Sequence, residues 1–188
     1  MVMRPLQQPV PPLWYGITSA GSVRFAAERG MHVVSLAPNE MLADLMTAYR
    51  ELRTGHRGGP LDLSAPGSVT RMGALRQVYV GRSAAEAKRV GERAYAVFYA
   101  NLMHLWRTFN VVNTLIPPTC AAARELGTLI VGTAAGVREQ VQTLFGETGC
   151  NYLAGEFVFG DLSDAESLAS IERFGADVMP AFRPGDGP

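Results

Sequence analysis

Short apolar runs alternate with helix-patterned segments four times over, and this constrains the 188-residue chain more than any other feature of its sequence. Leu13-Trp14-Tyr15-Gly16-Ile17 reads as a buried strand. Ser19 to Arg29 follows as a helix with Val23, Ala26 and Ala27 on one face and Gly30 as its stop. Met31 to Leu36 is a second strand, after which Pro38 opens a helix carrying Met41, Leu42, Leu45, Met46 and Tyr49 at helical spacing. A glycine- and proline-rich loop from Arg53 to Ser68 precedes a third strand, Arg76 to Val80. That strand runs into Ser83-Ala84-Ala85-Glu86, a capping box in which hydroxyl and carboxylate satisfy helix-end amides reciprocally. The next helix carries the stripe Tyr95, Phe98, Tyr99, Leu102, Leu105, Trp106 and Phe109, a core face by its spacing, with a ligand wall as the alternative. Asn110 to Leu126, broken by Pro117-Pro118, is irregular or partly helical. Thr133 caps a helix from Ala134 to Phe145, and Asn151 to Phe157 is the fourth strand. The last helix starts at the box Ser163-Asp164-Ala165-Glu166 and is expected to bury Leu168, Ile171, Phe174 and Val178.

Alternation of this kind predicts an α/β fold of parallel βα units. No GxGxxG or GxxxxGK[ST] follows any of the strands, which leaves barrels and flavodoxin-like sheets as the frames to consider. Four βα units are half of a (β/α)8 barrel, which takes about 250 residues when whole.

Composition narrows the function classes. Lys plus Arg equals Asp plus Glu at 17 each, so no bulk field draws the chain to nucleic acid or an anionic membrane. Cys120 and Cys150 lie in separate segments and read as free thiols of a reducing cytoplasm. His32, His56 and His104 have no second ligand at metal spacing, so no metal is expected. Met1 to Pro12 lacks the apolar stretch of a signal peptide, and no run reaches the roughly 18 apolar residues of a membrane span. The expected location is cytoplasmic.

Three segments carry a likeness that composition does not. The first is Arg4-Pro5-Leu6-Gln7-Gln8-Pro9-Val10-Pro11-Pro12-Leu13-Trp14-Tyr15-Gly16. The second is Ile130-Val131-Gly132-Thr133-Ala134-Ala135-Gly136-Val137-Arg138-Glu139-Gln140-Val141. The third is Glu147-Thr148-Gly149-Cys150-Asn151-Tyr152-Leu153, continued by Phe159-Gly160-Asp161-Leu162-Ser163 and by Phe174-Gly175-Ala176-Asp177-Val178-Met179-Pro180-Ala181-Phe182. In order and spacing these resemble the bacterial luciferase-like family of flavin-dependent monooxygenases. The resemblance implies a partial TIM (β/α)8 barrel: residues 1–183 as the C-terminal half of a luciferase-like domain, strands five to eight, with 184–188 as a disordered tail. It implies reduced FMN, or alternatively F420, as cofactor, a flavin reductase as electron source, and a small organic substrate. With strands one to four absent, it also implies pairing with a second copy or with a complementing N-terminal half. A non-catalytic half-barrel partner or a truncated remnant is the alternative.

Working residues in a barrel gather at the C-terminal ends of its strands. Gly16-Ile17-Thr18-Ser19-Ala20-Gly21-Ser22 is such an end, a strand-to-helix turn whose free amides and helix dipole suit a phosphate. Two readings stand for its hydroxyls: they cap the helix, or they hold an anion. The resemblance places the FMN 5′-phosphate at Gly16, Thr18, Ser19 and Ser22. The chain has Thr-Ser-Ala-Gly where many relatives have Ser-Ser-Pro-Glu, keeping hydroxyls and losing the proline. Trp14 and Tyr15 are packing residues or lumen walls, and Glu156 and Asp161 are mouth groups or simply strand and turn polarity. No catalytic acid–base pair stands out.

Overall fold

In the computed structural model residues 6, 7, 10–112 and 116–182 are described. Part of the proline-rich first segment, the 184–188 tail and Asn113 to Leu115 therefore lie outside the described residues. The strands are β1 Trp14–Gly16, β2 His32–Ser35, β3 Met72–Val80, β4 Leu129–Gly132 and β5 Tyr152–Glu156. The helices are α1 Ala20–Glu28, α2 Asn39–His56, α3 Ala84–Thr108, α4 Cys120–Glu125, α5 Ala134–Thr148 and α6 Asp164–Arg173. Hydrogen bonding orders the sheet β1-β2-β3-β4, with β5 also on β3, and the β1–β2, β2–β3 and β3–β4 pairs are parallel. Among the described residues no pairing between β1 and β4 or β5 closes the sheet into a barrel. Five strands replace the expected four, because the apolar run Leu129–Gly132 forms β4 in register with Gln77 to Val80.

The chain divides into two compact units, one holding the residues up to Leu75 with Phe145–Ala154, the other Arg76–Leu144 with Gly155 onward. In the first, Trp14 pairs His32 and Gly16 pairs Val34, while Val33 pairs Met72 and Ser35 pairs Ala74. Side chains alternate across a strand, so Tyr15 and Val33 face the helices and Trp14, His32 and Gly73 face the other way. Tyr15 meets Phe25 of α1, and Trp14 meets both His32 and Tyr152. Gly73 makes room for that cluster, since a Cβ there would lie 3.5 Å from the Trp14 ring and 3.2 Å from the Val33 carbonyl. Val23, Ala26 and Ala27 of α1 and Leu42, Leu45, Met46 and Tyr49 of α2 are buried.

The expected loop from Arg53 begins inside α2 and is organised around a buried ion pair. Arg53 Nη2 donates to Asp62 Oδ2 at 2.8 Å and to Ser64 Oγ at 2.7 Å, and both charged side chains are nearly solvent-free. Burial alone would raise the Asp62 carboxyl, but the amides of Gly58 and Ser64 and the Arg53 guanidinium hold it well below the usual carboxylate range. Gly30, at φ +64°, fits beneath this pair, where any Cβ would run into Asp62 and Arg53.

The second unit packs α3 and α4 against the end of β3 and β4. Tyr79, Ala87, Val90, Ala94, Tyr95, Ala123, Leu129, Val131 and Phe159 form its core. Gly91 lets α3 approach β4, where a Cβ would come within 2.8 Å of Val131 Cγ1. Two expectations fail here. The stripe on α3 is buried at Tyr95 and partly at Phe98 and Tyr99, but Leu105 and Phe109 at its end are exposed, and Met103, outside the stripe, is buried. On α6, Leu168 and Ile171 are 60% and 43% exposed, while Ser167 and Ser170 are buried. The reason is polar docking: Ser170 Oγ accepts from the Val80 amide at 2.9 Å and Arg173 Nη1 donates to the Val80 carbonyl at 2.8 Å. Val178 is buried as expected, and Phe174 meets Phe157 edge-on.

Helix starts follow the caps. Ser19 and Ser163 form reciprocal boxes with Ser22 and Glu166. Ser83 accepts from the Glu86 amide, but the Glu86 carboxylate takes the Arg82 amide and side chain instead of closing the expected box on Ser83. Arg93 on α3 donates to Asp161 at 3.0 Å and to Glu166 at 2.8 Å, tying the β5–α6 turn to α3.

Asp62→Ala strands a buried guanidinium and should cost about 3–5 kcal/mol in urea denaturation, whereas the double change Arg53→Met, Asp62→Leu should cost much less. A wild-type midpoint for Asp62→Ala would remove the ion pair from the fold's supports. The hydrogen bond from Arg93 depresses the Glu166 carboxyl to about 2, from 4.5 when unpaired. Its stabilisation is complete above the unpaired value and is lost as pH falls toward about 2. The stability gap between wild type and Arg93→Met should therefore be on the order of 1 kcal/mol near neutral pH, given how exposed the groups are, and should close across that acid window.

Candidate functional site

β1 ends at Gly16, and the next residue fixes how the turn leaves the sheet. Ile17 is fully buried and its amide donates to the Val34 carbonyl at 2.9 Å, which anchors the turn while Thr18, Ser19, Ala20 and Gly21 remain exposed. Ser19 is the N-cap, with extended backbone at φ −155° and ψ 162°. Ser22 Oγ accepts from the amides of Thr18 and Ser19, each at 3.0 Å, and donates to the Ser19 carbonyl at 2.8 Å. Ser19 Oγ accepts from the Ser22 amide at 3.3 Å.

The structure thus gathers Thr18, Ser19 and Ser22 into one turn after Gly16. It does so first as a cap, with the Ser22 hydroxyl spent inside the turn. The amides of Ala20 and Gly21 lie in the first helical turn, where no intrahelical acceptor exists. No acidic residue occupies that turn. A Cβ on Gly21 would approach only Ser19 Oγ, at 4.0 Å, and one on Gly16 would meet nothing within 4 Å. The arrangement offers exposed amides, the positive end of a helix dipole and open space, which together fit an anionic group.

Elsewhere the candidate mouth groups separate. The Asp161 carboxylate is engaged by Arg93 and serves the fold. Glu156 ends β5 half-buried, and burial pushes its carboxyl up from the ordinary range. Trp14, His32 and Tyr152 form an aromatic cluster that strand-by-strand reading did not assemble, since it requires the β1–β2 register and the placement of β5. Its signal in the sequence is an aromatic or histidine opening each of three strands. Burial and the nearby Arg71 charge lower the His32 pKa, and its Nδ1 accepts from the Arg71 amide at 3.0 Å. Among the described residues no group of three His, Cys, Asp or Glu side chains is placed to hold a metal ion, and no helix is long and apolar enough to cross a membrane. Cys120 and Cys150 are free thiols.

No protein-family model matches the chain. A curated protein of Sinorhizobium fredii, the uncharacterized protein y4wF, is 31% identical over 180 residues, which is 95% of this chain and 51% of that protein. The chain therefore spans about half the length of the curated relative it matches. Among solved structures, monooxygenase RslO1 from Streptomyces bottropensis aligns with a TM-score of 0.77 at 19% identity, over 97% of this chain and 52% of that one. The oxygenating constituent of 3,6-diketocamphane monooxygenase from Pseudomonas putida, a type II Baeyer–Villiger enzyme in complex with FMN, aligns with a TM-score of 0.67 at 20% identity, over 92% and 49%. The F420-dependent tetrahydromethanopterin reductase of Methanopyrus kandleri aligns with a TM-score of 0.58 at 14% identity, over 92% and 51%. At these identities the likeness establishes architecture, and the chain has the luciferase-like fold.

Proposed function

We propose that this chain contributes one half of a flavin-dependent, luciferase-like monooxygenase barrel and seats the cofactor phosphate on the N-terminus of α1. The observation that carries the proposal is the alignment of nearly all of this chain with about half of monooxygenase RslO1, at a TM-score of 0.77. The β1–α1 turn supplies the local chemistry. Amides of Ala20 and Gly21 and the exposed hydroxyls of Thr18 and Ser19 receive the phosphate, and the Ser19–Ser22 cap holds them in place. FMN is the cofactor favoured here, with F420 as the alternative; one solved neighbour holds FMN and another is F420-dependent. The reduced flavin supplies the electrons for oxygen activation, while the protein binds, orients and excludes water. A separate flavin reductase delivers it, and the substrate is a small organic molecule.

The remaining barrel comes from a complementing N-terminal half, with a second copy of the chain as the other candidate. Support for this lies in β1, whose three residues are all exposed and whose one hydrogen-bonded neighbour strand among the described residues is β2. Leu13, Trp14, Tyr15 and Leu36 leave substantial apolar surface beside that edge. Unpaired strand edges invite association. The same edge supports a second reading, in which the chain is a non-catalytic partner whose role is to complete another subunit.

Gly21→Ala separates binding from folding. The added Cβ has room in the protein and improves helix propensity by roughly 0.5–1 kcal/mol, so the melting temperature should hold or rise. It points toward the helix N-terminus, and FMN affinity measured by flavin fluorescence quenching should fall about tenfold. No flavin uptake by the chain, alone or mixed with a complementing half, would overturn the monooxygenase reading and leave the partner reading. Unchanged FMN affinity in Gly21→Ala would move the phosphate off α1.

A further inference from the structure

A second anion-binding feature lies in the first unit, away from the β1–α1 turn. Arg50 and Arg53 lie three residues apart on α2 with Thr54 beside them, and Arg57 is the extended C-cap residue that follows the helix. Together with Ser68 and Thr70 these side chains line a cavity of about 390 Å³ that has no acidic lining residue. Arg53 is 4% exposed. Its Nη2 is taken by Asp62 and Ser64, but its Nε and Nη1 are buried without a hydrogen-bond partner. Buried polar groups are rarely left so, because an unmade bond to a charged donor is costly.

Charge points the same way. Asp62 neutralises Arg53. Among the described residues Arg50 reaches neutral acceptors, the Gly149 carbonyl and Thr47. Arg57 is exposed and has no carboxylate partner among the described residues. Two positive charges therefore stand without a carboxylate partner, among the described residues, on a cavity that the half-satisfied Arg53 also lines. Met72, which also lines it, is the first residue of β3, so the cavity lies at the N-terminal ends of the parallel strands. The β1–α1 turn follows the C-terminal end of β1, at the opposite end of the same strands.

We propose that this cavity binds a phosphate monoester, whose charge near −2 matches the two free arginines and whose oxygens suit guanidinium donors. The cavity volume leaves space for a small organic group beyond the phosphate. The site is independent of the flavin phosphate.

Titration of inorganic phosphate into the 188-residue chain at constant ionic strength, followed by calorimetry, tests it. Saturable binding is expected, about tenfold or more weaker in Arg57→Ala, since a bond to a charged group is removed. Arg57→Ala should melt as wild type does without phosphate, and Lys88→Ala, an exposed cation of α3, should bind phosphate as wild type does. Absence of saturable binding, or equal binding by Arg57→Ala, would overturn the proposal. Loss of binding in Gly21→Ala but not in Arg57→Ala would also overturn it, while supporting the flavin-phosphate assignment.

Discussion

The nine residues of β3 carry the hydrogen bonding of three other strands, and the rest of the sheet depends on that. β2 pairs its first three residues, β4 its last four, and β5 pairs it as well. All but Leu75 are buried. A strand buried so completely has no water to satisfy its end groups, so polar side chains must do it. At its start Asn151 does so, with its Oδ1 accepting from the Met72 amide at 2.7 Å and its Nδ2 donating to the Thr70 carbonyl at 3.0 Å. At its end Ser170 and Arg173 take the Val80 amide and carbonyl.

That constraint also explains where sequence reading succeeds and fails. Short-range signals read correctly: the Ser19 and Ser163 caps, the Gly30 stop at positive φ and the strands around Tyr15, Val33 and Leu153 all obey local rules. The failures come from distant partners. β3 extends back to Met72 through Gly73 and Ala74, residues with little strand propensity, because β2 pairs them. β4 exists because β3 offers an edge to Leu129–Gly132, a run too short to distinguish from helix by periodicity. On α6 the apolar spacing of Leu168 and Ile171 suggests a core face, and the need to satisfy Val80 turns the serine face inward instead. Arg53 has no local signal of burial at all; its partner Asp62 lies nine residues on, in a segment that reads as featureless loop.

At the candidate site the structure brings the residues singled out in the sequence into one turn and uses them first as a helix cap. Thr18, Ser19 and Ser22 do converge after Gly16, but the cap consumes the Ser22 hydroxyl and the amides of Thr18 and Ser19. Under the proposed function capping and anion binding are compatible. A capped first turn presents the Ala20 and Gly21 amides in fixed directions, and fixed donors lose less on binding than ones that must be ordered. The missing proline of the Thr-Ser-Ala-Gly sequence is offset in the same way, since the Ser19–Ser22 box starts the helix without it.

What remains exposed follows from what β1 lacks. It is three residues long, pairs only β2 among the described residues, and leaves Trp14 39% and Tyr15 38% exposed despite ring contacts on both. An aromatic pair on an outer strand is costly to leave in water, at about 25 cal/mol per Å² of apolar surface. Net charge does not oppose association, because the 17 basic and 17 acidic residues cancel. Chains of roughly twice this length share the fold, with the alignments covering about half of each. The exposed aromatics of β1 and the half-length coverage of those chains are both accounted for by the proposed function, in which further strands cover this edge.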